Sequence, residues 1–235
     1  MFVGHVALAL IAKRKVPAAP LGWLVAAVMA LDLLWPIFLL LGVEQVAMRA
    51  GATAFNPLVF ESYPWSHSLL MAAVWGLALA ALAKWRGYSG AVQAWLAGLV
   101  VSHWVLDWIT HAPDLPLWPG DSPRLGLGLW NSVGGTYAIE GGLWLAAIVL
   151  YLRDRRALTG TGRLAFWSLV AVVTLLWAAA PWSPPPPSVR MLAGTALALW
   201  LLVPWASFAD RRFVLRPVAA TMLVLLLAVG FPATR

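Results

Sequence analysis

The sequence predicts an all-α fold: a polytopic membrane helical bundle of about seven transmembrane helices plus an N-terminal half-helix. Three observations carry that expectation. The 235 residues are 62% hydrophobic and only 11% charged, whereas soluble chains run roughly half apolar and about a quarter charged. Apolar runs long enough to cross a bilayer recur along the chain. Lys and Arg fall in short clusters between those runs, the pattern of cytoplasmic loops under the positive-inside rule.

The first apolar run, 2–12, precedes the basic cluster Lys13-Arg14-Lys15, the reverse of the order in a cleavable signal. At ~1.5 Å per residue it covers about half a bilayer core, so a half-helix tucked among the others is expected. Crossings are expected at 20–43, 67–83, 91–112, 134–152, 164–182, 191–209 and about 213–231. Pro36 frees the carbonyl of Asp32 from its helical bond, which places a kink there. With 13–16 inside the cell, the segments 84–90, 153–163 and 210–216 are inside too. Of the sixteen Lys and Arg, only Arg49, Arg124, Arg190 and Arg235 then fall outside. The outer loops 44–66 and 113–133 are long and rich in Trp, Pro and Gly, and read as ordered lids. Ser183 to Ser188 is a stiff polyproline corner.

Several function classes drop out at once. There is no cysteine, so disulfide scaffolds, thiolate metal sites and Cys nucleophiles are excluded. The apolar content excludes disorder. The net charge of +7 does not mark a nucleic-acid partner, because it is dispersed in the clusters just described. Membrane lipids, and a small-molecule or lipid substrate, are the expected partners.

Chemistry-bearing residues are confined to the first part of the chain. His5, His67, His103 and His111 lie there, as do the acids Asp32, Asp107 and Glu140 within apolar runs. Ionisable groups in a membrane are costly and face the bundle interior, so each is a site candidate. Residues 1–152 are therefore expected to carry the site and 153–235 to act as scaffold, within one integral membrane domain. Counting the helical rise places Asp32 ~18 Å and His5 ~12 Å from the inner face, with the others converging on the outer half.

His103, Asp107 and His111 are spaced i, i+4, i+8, so on a helix they share one stripe. That stripe is either the edge of a nitrogen/oxygen metal site or a hydrogen-bonded polar row. In Tyr63-Pro-Trp-Ser-His67-Ser68, Pro64 blocks helix and Ser66 is a natural N-cap, so His67 projects from the first turn of a crossing. It is a ligand or an interfacial histidine. Asp32 is a metal ligand or caps its kink. His5 is a ligand, a support for one, or a hydrogen-bonded core histidine. Glu140 is a further ligand or a general base. Glu61 and Asp114 are loop acids that could also serve, Glu61 as an alternative base.

Gly4-His5, Asp32, Trp65-Ser66-His67-Ser68 and Ser102-His103-x-x-x-Asp107 resemble a bacterial family of inner-membrane metal-dependent hydrolases whose best-known member is LexA-regulated. The resemblance covers residues 1–112. That family usually shows Pro-Asp-x-Asp where this chain has Ala30-Leu31-Asp32-Leu33, and a second His where it has Tyr63 to Ser68. One acid and one His of the pattern are thus absent, which leaves a second metal to Glu140 or His111. The order of candidate ligands is also similar to that of zinc-dependent phospholipase C. The resemblance implies hydrolysis of an ester or phosphoester on the periplasmic side of the inner membrane. It also implies one or two divalent metals, zinc foremost, held by His67, His103, Asp107, His111, Asp32 and His5. Two rival classes stand beside it. A transporter or proton relay would use a buried His/Asp chain, but no inverted repeat is visible. A haem-binding membrane protein would use two facing histidines, but three buried acids suit a hard divalent ion better.

Overall fold

The computed structural model describes residues 1–153 and 160–210. Helix dominates: α1 (Phe2–Lys15), α2 (Leu21–Val28) and α3 (Ala30–Leu40) precede a hairpin of β1 (Gln45–Met48) and β2 (Leu58–Ser62). Next come α4 (Pro64–His67), α5 (Leu69–Trp85), α6 (Gly90–Thr110) and a short antiparallel pair, β3 (Leu115–Pro116) with β4 (Arg124–Leu125). Then follow α7 (Val133–Arg153), α8 (Gly160–Ala179), α9 (Val189–Ala196) and α10 (Leu202–Ala209), the last two joined through the 3-10 turn Leu197–Leu201.

The helices make a membrane protein by length and composition. Among the described residues four helical segments are long and apolar enough to cross: Gly90–Thr110, Val133–Arg153, Thr161–Trp182 and Val189–Ala209. The pair α2 and α3 makes a fifth if its two bent halves count as one span, and α5 is a shorter apolar helix. The expected seven crossings are therefore not reached in the described part, and the expected run 213–231 lies outside it. The outward faces are apolar: Leu77, Leu145, Leu164, Leu175 and Leu176 are all exposed. A soluble bundle would put charge on that side, whereas hydrocarbon requires none.

The half-helix is the centre of the bundle. α1 packs against α7, α2 and α6, and touches α8. Its small residues Gly4, Ala7, Ala9 and Ala12 are buried, which lets neighbouring backbones approach closely. It also carries a charge inward. Lys13, expected in a solvated cluster, is only 1% exposed and pairs with Asp210 at 2.6 Å. Its Nζ also donates to the carbonyls of Pro17 and Ala19, so the ammonium is satisfied where it is buried.

The kink expected at Pro36 is elsewhere. Pro36 lies inside α3, and the chain bends by 56° between α2 and α3, at Met29. A helix broken there exposes the Val28 carbonyl, and His103 Nδ1 takes it at 2.6 Å. The break also puts Asp32 in the first turn of α3, where a helix N-terminus favours negative charge. Ser66 was expected as the cap of the next crossing. Instead α4 is a separate single turn with Pro64 at its start, and Ser68 is the cap of α5, accepting from the amide of Met71 at 3.2 Å.

α5 and α6 run back alongside each other, so the hairpin and the 111–132 connection meet at one end of the bundle. Leu70 N–H donates to the carbonyl of Leu117 at 2.9 Å, and Arg124 donates to the Glu61 carbonyl at 3.0 Å. The opposite end holds the Lys13–Asp210 pair.

The α5–α6 contact depends on Gly76, where an added Cβ would sit 2.9 Å from the Ala97 carbonyl oxygen, a backbone atom that cannot swing away. Gly98 on α6 faces open space. Gly76→Val should lower the unfolding midpoint in detergent, by about 1–3 kcal/mol of stability. Gly98→Ala should leave it nearly unchanged, and thermal melts of the two variants check the difference.

Candidate metal centre

Six of the expected ligands meet at one place. Asp107 is its focus. The carboxylate is 2% exposed, and its two oxygens do different things. Oδ1 accepts from the Met1 amino group and from His5 Nε2, the latter at 3.0 Å. Oδ2 faces three imidazole Nε2 atoms: His103 at 3.0 Å, His67 at 3.8 Å and His111 at 3.9 Å. Asp32 Oδ1 joins from α3, 3.5 Å from His67 Nε2 and 3.8 Å from His103 Nε2.

The far nitrogen of each of these three rings is held from outside the cluster. His103 Nδ1 contacts the Val28 carbonyl at 2.6 Å. A carbonyl can only accept, so this nitrogen carries the proton and Nε2 of the neutral ring is a lone pair. That Nε2 is buried and has no hydrogen-bond partner, although Asp107 Oδ2 lies 3.0 Å away. His67 Nδ1 lies 2.7 Å from Ser66 Oγ. His111 Nδ1 lies 3.0 Å from Asp114 Oδ1 and 3.3 Å from the Tyr63 hydroxyl, which itself donates to Asp114. Metal-ligating histidines are typically oriented in this way, with the second ring nitrogen donating to a carbonyl, carboxylate or other acceptor.

The chemistry therefore fits a cation. Lone pairs and carboxylate oxygens repel one another at these distances, and burial withdraws the water that would screen them. Two sets of donor atoms lie within 4.8 Å of one another: His5, His103 and Asp107, and Asp32, His67 and His103. Each could hold a metal ion. Imidazole with carboxylate suits divalent transition metals. Asp32 is the open flank, with a side chain 25% exposed while those of the His and Asp107 members are 3% or less.

His111 reaches the cluster by another route than a helical stripe. α6 ends at Thr110, and His111 has extended backbone. The connection after β4 holds it there: Leu127 N–H donates to the Trp108 carbonyl and Gly128 N–H to the His111 carbonyl, at 2.8 and 2.7 Å. Gly126 permits this approach, since a Cβ there would lie 1.9 Å from the Ala112 carbonyl oxygen. His5 stacks on His103 with centroids 3.7 Å apart and planes 5° from parallel, and its own Nδ1 has no partner.

Glu140 is buried on α7 beside the cluster rather than in it. Its Oε1 accepts from the Trp130 indole at 3.4 Å, the Gly4 amide also faces it, and Oε2 is buried without a partner. Glu61 is not gathered in. It lies on β2 with its side chain exposed, at the rim of the hairpin. Trp130 covers the site, with its ring 4.4 Å from that of His111. Trp118 is 43% exposed and donates to the Asp121 carbonyl. Phe60 closes the same side at 4.7 Å from His111.

Glu44 is the residue that motif reading passed over. It lies at the foot of the hairpin, is 2% exposed, and accepts from the amides of Trp65 and Ser66 and from Ser66 Oγ, at 2.8, 2.7 and 2.7 Å. No spacing rule ties it to His67, which stands 23 positions later in the numbering. Only the packing of α4 joins them. Burial pushes its carboxyl up, against the pull of the Ser66 hydrogen bonds. Burial, and then Asp114, raise the Tyr63 phenol well above its ordinary value, so it stays a donor at neutral pH.

No family model, no curated protein and no solved structure matches this chain, so the resemblance to inner-membrane hydrolases gains no support from these comparisons.

If the cluster holds a metal, His103→Ala and Asp107→Ala should each strip divalent metal from the purified protein. Lys84→Ala, far from the site, should retain it. Elemental analysis of the three variants beside wild type decides this, and full metal in both site variants would reduce the cluster to a hydrogen-bonded row.

Proposed function

We propose that this chain is a membrane-embedded, metal-dependent hydrolase acting on an ester or phosphoester, in a lipid or a small molecule, at the periplasmic side of the bacterial inner membrane. The observation that carries the reading is the convergence of His67, His103 and His111 Nε2 atoms on Asp107 and Asp32, with the outward nitrogens already engaged. His67, His103, His111, Asp107 and Asp32 would hold the ion, and His5 would hold Asp107. Zinc suits that donor set. When bound, a divalent cation supplies Lewis acidity toward a carbonyl or phosphoryl oxygen.

The chain's own residues supply the rest. Glu140, buried with one oxygen unpartnered, takes the proton from the attacking water as general base. Glu61, exposed on the hairpin, is less well placed for that role. Phe60 and Trp130 keep bulk water from the His111 side, and the exposed flank at Asp32 is where the scissile group enters. A haem is disfavoured by the ring geometry. His5 lies flat on His103, and His67 meets the same ring edge-on at 5.3 Å, so neither pair leaves a gap for a macrocycle.

Glu140→Gln preserves shape and removes the base. It should retain metal and lose hydrolysis of phosphodiester and carboxylester test substrates by about 100-fold or more. Metal lost in parallel with activity would make Glu140 a ligand, and unchanged activity would send the search for the base to Glu61 or Asp114.

Orientation has its own test. Cysteines placed at the exposed positions Ala54 and Asp121 should react with an impermeant thiol reagent on intact spheroplasts. One at Gly87, in the α5–α6 turn, should react only after lysis; the opposite pattern would put the site on the cytoplasmic side.

A further inference from the structure

We propose that Glu44 is a positioning residue for the metal ligand His67, acting through Ser66 to hold the imidazole with its Nδ1 protonated and its Nε2 lone pair turned into the cluster. The proposal rests on the metal-site reading above and goes beyond it by tying the site to the hairpin that covers it.

The direction of the relay follows from donor arithmetic. Ser66 Oγ lies 2.7 Å from Glu44 Oε2 and 2.7 Å from His67 Nδ1. A hydroxyl has one proton to give. A carboxylate can only accept, so the Ser66 proton goes to Glu44, and the contact with His67 must be completed by a proton on Nδ1. The neutral ring then presents Nε2 without a proton, 3.5 Å from Asp32 and 3.8 Å from Asp107. Glu44 Oε1 is meanwhile occupied by two backbone amides, of Trp65 and Ser66. The carboxylate therefore grips both the backbone of the α4 turn and the hydroxyl beside His67. Ser66, His67 and Glu44 are at most 3% exposed, so water does not compete for these bonds. Glu44 directly precedes β1, so the hairpin's position sets the ligand's tautomer.

Glutamine in this place cannot satisfy all its neighbours. With its oxygen toward the two amides, its NH2 faces Ser66 Oγ, the Ser66 proton turns to His67 Nδ1, and the ring must carry its proton on Nε2. With its oxygen toward Ser66, the NH2 meets the two backbone N–H groups. The first arrangement opposes the ligand form of His67, and the second keeps it only by setting NH2 against the amides of Trp65 and Ser66 and leaving both without an acceptor. Ser66→Ala removes the link without reversing it, so its effect should be the smaller.

The test uses the whole chain in detergent with 15N-labelled histidine, where four rings give a tractable spectrum. In the metal-free wild type, His67 should be protonated at Nδ1 and bare at Nε2. In Glu44→Gln that tautomer should be lost or mixed, while His103, held by the Val28 carbonyl, stays protonated at Nδ1 and reports that the variant is folded. Zinc affinity by competition titration should fall by about 10–100-fold in Glu44→Gln, and less in Ser66→Ala. A wild-type His67 protonated at Nε2, an unchanged tautomer and affinity in Glu44→Gln, or a larger loss in Ser66→Ala would overturn the proposal. A wild-type chain with the expected tautomer but no zinc binding would instead sink the metal reading and leave the relay standing.

Discussion

Everything around the site depends on burying the Asp107 carboxylate. Taking such a group out of water costs several kcal/mol unless charge and hydrogen bonds replace the solvent. Here hydrogen bonds replace the solvent at one oxygen, while the other faces imidazole nitrogens and would need a cation between them. α1 brings His5 and the Met1 amine to one oxygen, and α6 brings His103 one turn below. α4 and the end of α6 bring His67 and His111 toward the other oxygen. The short, largely buried α1 brings His5 to Asp107 near one end and Lys13 to Asp210 near the other.

Irregular backbone is concentrated where the ligands need it. The bend at Met29 exposes the carbonyl that fixes His103 and sets Asp32 in a first turn. The break at Ser68 separates the turn holding His67 from α5. The extended backbone of His111 swings its ring inward, and the Tyr63–Asp114 contact holds it there. Non-helical backbone at membrane depth is tolerated only where protein or polar groups satisfy it, and each of these breaks is satisfied by a residue of the site or its support. The same end of the bundle adds a cover. Phe60 and Trp130 lie over His111, and the hairpin that carries Phe60 starts beside Glu44.

Much of this was legible in the chain. Charged residues inside apolar runs are expensive enough to mark themselves, and His5, Asp32, His67, His103, Asp107 and His111 did converge. What failed had a common cause. The kink assigned to Pro36 moved to Met29 because a side chain from another helix rewards the break there. Ser66 was read as a cap from local pattern, but a distant carboxylate claims its hydroxyl. Glu61 carries the same chemistry as Glu140, yet its place on β2 leaves it exposed. Lys13 looked like one of three cytoplasmic charges, and its burial follows from Asp210, almost two hundred positions away.

The sequence by itself determined the solvent and the cast. Composition and charge spacing demand a bilayer, and the cost of ionisable groups in hydrocarbon singles out the residues that meet. Only the tertiary structure decided their roles. Whether an imidazole offers a lone pair or a proton to its neighbours is settled by what its other nitrogen touches, and those partners, the Val28 carbonyl, Ser66 with Glu44, and Asp114 with Tyr63, are mostly remote in the chain and carry no signature of their own. Periodicity reports which face a residue occupies; it does not report which atom across the gap completes its hydrogen bond.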